Sequence, residues 1–174
     1  MVSESCESEL GSSILSLVDQ VVNVLRARGE TVSFAESCSG GMLSASFTEL
    51  PGVSDVFLGA VVAYANSVKV DLLAVQSESL NEFGAVSLSV AKEMALGAQR
   101  AMRSDWAVSI TGIAGPSGGS EAKPVGTVCF GLAGPSFEDS MIRRFNGDRR
   151  DIQGASVQSA LCLLLEAIAK VPVA

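Results

Sequence analysis

The densest concentration of reactive groups in this sequence is Ala35-Glu36-Ser37-Cys38-Ser39-Gly40-Gly41. The run lies between a predicted strand and a predicted helix. A turn of that kind presents side chains at a strand's C-terminal end, and the helix that follows offers free backbone N–H groups to an anion. Ser37 is therefore a candidate nucleophile. Ser39 supplies a second hydroxyl, and Gly40 and Gly41 mark a place where substrate approaches the backbone and an oxyanion is held. An ordinary serine-capped helix accounts for the same residues without chemistry. Cys38 is read as a small buried thiol in preference to a nucleophile.

A serine nucleophile needs a base, and the chain contains no histidine. That absence excludes Ser-His-Asp and Cys-His triads as well as His-ligated zinc. Proton transfer falls to Lys, Tyr, Asp or Glu. Of the four lysines, Lys92 falls on a regular helix and Lys170 near the C-terminus, leaving Lys69 and Lys123. Lys69 closes the segment Tyr64-Ala65-Asn66-Ser67-Val68-Lys69, which follows a continuous apolar run. Desolvation there lowers a lysine pKa, and the neutral amine can activate a serine. Tyr64 is positioned to relay a proton or orient a substrate, and Asn66 to cap a helix. A solvated first-turn lysine beside a packing tyrosine is the plainer alternative.

Two further segments point to ligand binding. Thr111 to Pro124 is a long Gly/Pro/Ser loop beginning where an apolar strand ends, the usual crevice for ligands in α/β sheets. It matches neither a Walker A loop nor GxGxxG, so its glycines indicate only close approach to the backbone. In Gly147-Asp148-Arg149-Arg150-Asp151, Asp148 is placed to cap the last helix, with two arginines in its first turn. Cations are unfavourable there, which points to an anionic partner such as a phosphate; neutralisation by Asp148 and Asp151 is the alternative. No pairing of acidic residues resembles a metal cluster or a glycosidase site, so no metal is expected. Glu36 is read as orienting the serine loop.

The elements that must position these groups follow from periodicity. Apolar residues at helical spacing predict a helix from Ile14 to Leu25, ended near Gly29. Helices are also predicted over 42–50, 66–74, 77–83 and 87–102, and from Gly147-Asp148 onward. Strands are predicted over 31–35, 57–65, 106–110, 125–132 and 139–145, with 57–65 read as a buried strand and the last two as a pair. This order gives an α/β fold, a mixed central sheet covered by helices. The expected organisation is a polar tail over 1–12 and a single domain over 13–174. With 48% apolar and 18% charged residues, the composition supports a core and opposes disorder. A net charge of −7 makes a poor non-specific nucleic-acid binder. No apolar stretch is read as reaching the roughly 18 residues of a membrane span, and no signal peptide is recognised. Cys6, Cys38, Cys129 and Cys162 lack CxxC spacing and are read as reduced thiols, so a cytoplasmic protein away from the membrane is expected.

Taken together, AESCSGG, YANSVK, SITGIAGPSGGSEAKPVGTV and NGDRRD resemble the CinA C-terminal domain family, from about Thr31 to the final helix. The resemblance implies a three-layer α/β/α sandwich, usually homo-oligomeric, needing no metal or other cofactor. The activity it implies is hydrolysis of nicotinamide mononucleotide to nicotinate mononucleotide and ammonia, in pyridine nucleotide recycling. Carried over by motif, Ser37 is the nucleophile and Lys69 its base. Tyr64 and Asn66 lie in the same pocket, with Thr111, Gly112 and Gly115 lining it. Ser39 stands where many relatives have Thr. The phosphate is expected at Arg149, Arg150 or a helix N-terminus. A Ser–Lys hydrolase of another amide and a non-catalytic nucleotide-binding module are the competing readings.

Overall fold

The computed structural model describes residues 13–172; the predicted polar tail and Cys6 lie outside them. Strand β1 (Val32–Glu36) is buried at every position, and its neighbours explain why. It pairs in parallel with β2 (Phe57–Val62) on one side and β3 (Trp106–Gly112) on the other. Strand β4 (Thr127–Gly134) runs antiparallel to β3, and β5 (Phe137–Arg144) antiparallel to β4. The order is β2-β1-β3-β4-β5, a mixed sheet.

Side chains alternate across this sheet and select what packs on each face. Phe34, Val108, Ile110 and Phe130 face a large apolar layer formed by α1 (Ile14–Arg28), α2 (Met42–Thr48) and α6 (Arg149–Lys170). The opposite face carries Ala35, Ala107 and Ala133, against which α5 (Leu88–Met102) packs. Helices α3 (Asn66–Leu73) and α4 (Ser77–Phe83) lie on the same side and contact α5. Small residues bring that layer close. Ser109 Oγ donates to the Ala91 carbonyl of α5 and accepts from Gly131 N on β4. The result is the three-layer α/β/α arrangement.

Three expectations change. The 57–65 run is not a buried strand. It forms the sheet edge, stops at Val62, and leaves Leu58 and Val62 44% and 47% exposed. Beyond it the chain turns, and the carbonyls of Ala63 and Tyr64 are released from the ladder for another partner. Asn66 does not cap α3. Ala65 occupies the cap with no side-chain bond, and Asn66 is the first helical residue. The Asp148 cap is present, and Asp151 completes a capping box with it. Helix α6 reaches membrane-spanning length and apolarity, contrary to the sequence reading. Its apolar side is core, with Ile152, Val157, Leu161, Leu164 and Ile168 all buried.

The approach of α3 to α5 depends on Gly97, where a Cβ would overlap the Leu73 carbonyl. Since α3 carries Lys69, this contact fixes the depth of the lysine. Gly97→Ala is expected to destabilise the fold by about 1–3 kcal/mol through overpacking. Urea unfolding checks this; an unchanged midpoint would show that α3 and α5 separate at little cost.

Candidate active site

The parallel strands β1 and β3 and the edge strand β2 end side by side, and the turns that follow them meet over one cavity of about 240 Å³. Ser37 stands at the end of β1, its N–H bonded to the Ile110 carbonyl of β3. Lys69 enters from the first turn of α3 and is only 1% exposed. Its Nζ lies 3.1 Å from Ser37 Oγ, 2.7 Å from the Ala63 carbonyl and 3.3 Å from the Tyr64 carbonyl. No carboxylate pairs with Lys69 among the described residues. Burial without an opposing charge pushes its pKa below the ordinary 10.5, the nearby Cys38 opposing this weakly.

The loop after Ser37 is held by Glu36, the last residue of β1, which is fully buried. Its carboxylate accepts from Gly41 N, Leu43 N, Ser44 N and Ser44 Oγ at 2.7–3.1 Å. A buried carboxylate demands partners of this kind, and the first N–H groups of α2 provide them. Gly40 N is occupied as well, donating to the Ser37 carbonyl. The amides of Gly40 and Gly41 are therefore not available to an oxyanion, contrary to the expectation from sequence. Ser39, Gly40 and Gly41 also line a separate depression with Arg150 and Gln153, not the Ser37 cavity. Glu36 thus occupies the amides of Gly41 and of the helix start, and the Ser39 amide is not among them.

The other expected residues do converge. Tyr64, Asn66, Thr111, Gly112, Gly115 and Arg149 line the cavity with Ser37, Cys38 and Lys69. Arg149 reaches it from the start of α6, donating to the Gly115 carbonyl at 2.8 Å and to Tyr64 Oη at 3.2 Å. The Asp148 and Asp151 carboxylates cap the backbone of α6, and no carboxylate pairs with Arg149 among the described residues. Thr111 is 1% exposed, and its hydroxyl donates to the Ala85 carbonyl, drawing the segment after α4 over the cavity. Gly112 has no room for a Cβ against Val128 and the Thr127 carbonyl.

Sequence reading missed Ala85 and Val86, which also line the cavity. They carry no reactive group, and Gly84 marked them only as a helix end. Lys123, the other candidate base, is elsewhere: its Nζ donates to the Phe83 carbonyl at the end of α4. Burial pushes the Cys38 thiol up to about 12, so it stays protonated and a poor nucleophile although it lines the cavity.

These features define a class: a three-layer α/β/α domain with a buried serine–lysine pair at the C-terminal ends of its parallel strands. The chain belongs to the CinA C-terminal domain family, which residues 14–168 match. A CinA-like protein of Fervidobacterium nodosum is 45% identical over 167 residues, 93% of this chain and 41% of that protein. One from Synechococcus sp. (strain RCC307) is 52% identical over 152 residues, 86% of this chain and 36% of that protein. The chain thus spans about two-fifths of the curated relatives it matches. Among solved structures, the competence/damage inducible protein CihA from Agrobacterium tumefaciens superposes with a TM-score of 0.84 at 38% identity, covering 88% of this chain and 94% of that one. Competence damage-inducible protein A from Klebsiella pneumoniae gives 0.89 at 30% identity, covering 92% and 100%.

Two outcomes test the electrostatics. Because the folded pKa of Lys69 lies below its unfolded value, the unfolded chain binds more protons between the two, and stability rises with pH across that window. Urea unfolding of wild type and Lys69→Met is expected to show wild type gaining on the variant as pH climbs towards 10.5; a constant difference contradicts a depressed pKa. At about pH 8, iodoacetamide is expected to leave Cys38 unmodified in the folded chain, because the thiolate is the reactive form. Peptide mass mapping reads this directly.

Proposed function

We propose that this domain is a serine amidase that converts nicotinamide mononucleotide to nicotinate mononucleotide and ammonia. The observation that carries the proposal is the buried Lys69 amine, 3.1 Å from Ser37 Oγ with backbone carbonyls as its other partners. As an ammonium, Lys69 donates to all three oxygens. As a neutral amine, it has two N–H groups for the Ala63 and Tyr64 carbonyls, and its lone pair faces Ser37. The hydroxyl then donates to the amine, which is the geometry of a general base beside a nucleophile.

The reaction follows in balanced steps. Ser37 Oγ bonds to the carboxamide carbon as its proton passes to Lys69. The tetrahedral intermediate collapses with loss of ammonia, the departing nitrogen taking the proton that Lys69 holds. Water then adds to the acyl-serine, giving its proton to Lys69, and the C–O bond to Ser37 breaks. The serine regains its hydrogen from Lys69, and the acid leaves as the carboxylate, its proton passing to solvent or to the released ammonia. Tyr64 and Asn66 are placed to orient the substrate. The donors left on Arg149 suit a phosphate, and Arg150 lines an adjoining depression that shares Ala114 and Arg149 with the cavity. The choice of nicotinamide mononucleotide rests on family resemblance; the residue chemistry supports an amide attached to a small anion. A homo-oligomer and a cytoplasmic location belong to the same reading.

The test is ammonia release from purified chain with nicotinamide mononucleotide, against nicotinamide and simple amides. Turnover of the nucleotide above the others is expected. None, under conditions where a known amidase works, overturns the reading. Ser37→Ala and Lys69→Ala are each expected to lower kcat by at least about a thousand-fold, as loss of a nucleophile or its base does, with far-UV circular dichroism unchanged. The rate is expected to rise with pH to a midpoint below 10.5, where Lys69 loses its proton.

A further inference from the structure

Following every backbone donor in the Ser37 turn leads to Gln153, a residue outside the motifs. Ser37 N–H goes to Ile110, Gly40 N–H to the Ser37 carbonyl, Met42 N–H to the Ser39 carbonyl, and those of Gly41, Leu43 and Ser44 to Glu36. Within the described residues, only the amides of Cys38 and Ser39 remain without an acceptor. They lie inside the turn that Gly40 closes on Ser37, immediately after the nucleophile. The turn is held from behind: Gln153 Nε2, one helical turn beyond Arg149 on α6, donates to the Cys38 carbonyl at 2.8 Å. That carbonyl and the Ser39 N–H share one rigid trans peptide and point in opposite directions. The bond from Gln153 therefore fixes the direction of the free amide.

We propose that the Cys38 and Ser39 amides form the oxyanion site of this domain, and that Gln153 is a positioning residue that aims it. This rests on the amidase reading of Ser37 and Lys69. An oxyanion site works by fixed dipoles that need no reorganisation during reaction, so a donor free to rotate loses its advantage. The Ser37 carbonyl is tied by backbone alone, whereas the Cys38 carbonyl is tied by a side chain from the last helix. Gln153 thereby couples the placement of α6, and with it Arg149, to the nucleophile turn.

The test uses the full chain with Gln153→Ala and Gln153→Glu. The glutamate keeps the shape, removes the donor and sets a carboxylate against the carbonyl. Relative to wild type, kcat is expected to fall about ten-fold in Gln153→Ala and further in Gln153→Glu, with KM changed less than about two-fold, the pattern of an interaction made mainly in the transition state. Unchanged kcat in Gln153→Glu, or a loss expressed only in KM, overturns the proposal. Phenylboronic acid provides a second readout that needs no knowledge of the substrate. Its boron accepts the Ser37 oxygen as the hydroxyl proton passes to Lys69, giving a tetrahedral boronate whose oxygens need the same donors; boron NMR detects the adduct. Weaker binding by Gln153→Glu than by wild type supports the proposal even where nicotinamide mononucleotide is not turned over, which separates its fate from that of the substrate assignment. Equal affinity in the two proteins, or no adduct with wild type, overturns it.

Discussion

Burial of an amine without a counter-charge is the constraint on which the site depends. Lys69 is enclosed where the ends of β1 and β2 meet, and it finds two backbone carbonyls and one hydroxyl there. Such surroundings favour the neutral form, since desolvation penalises charge and carbonyl dipoles compensate it only in part. A carboxylate at hydrogen-bond distance would have stabilised the ammonium and withheld the lone pair from Ser37. The sheet supplies this environment by ending β2 early: the carbonyls of Ala63 and Tyr64 leave the ladder and turn to the lysine. The edge position of β2 permits this, because no further strand requires it to continue.

Glu36 is the complementary case. It is a buried carboxylate one residue from the nucleophile, but its charge is spent on the backbone of α2. Accepting the N–H groups that the helix start leaves open, it fixes the turn and keeps those donors from any ligand. The carboxylate and the lysine thus do not pair. One holds the loop, and the other is left with the nucleophile. The glycines at 40 and 41 take left-handed backbone angles, which lets the chain fold back so that Glu36 reaches the helix.

Much of this architecture was legible in the sequence. Helical spacing in Ile14 to Leu25 and Ser87 to Met102, and the apolar run before Ser109, reflect burial on one or both faces, which periodicity reports directly. The 57–65 run misled because an apolar strand reads the same at an edge as in the centre; only the sheet order distinguishes them. Convergence of Ser37, Tyr64, Lys69, Thr111 and Arg149 was anticipated from motifs. The occupation of the Gly40 and Gly41 amides by the Ser37 carbonyl and Glu36 was not, because neighbours in sequence at a turn can point to different partners. Gln153 gave no signal, since one amide on a long helix resembles any other until its partner is known.

The amino-acid sequence by itself determined which chemistry was open to this chain. Without histidine, a serine nucleophile must rely on another base, and position along the chain left two of the four lysines. Which lysine serves was a tertiary decision. Lys123 meets the end of α4, whereas Lys69 sits among the strand ends beside Ser37. An amine is kept neutral, with its lone pair available, by the solvent it loses, and solvent exclusion belongs to the packed structure, not to any residue alone. The oxyanion donors obey the same rule, being the amides left over once every other N–H in the turn has found its acceptor.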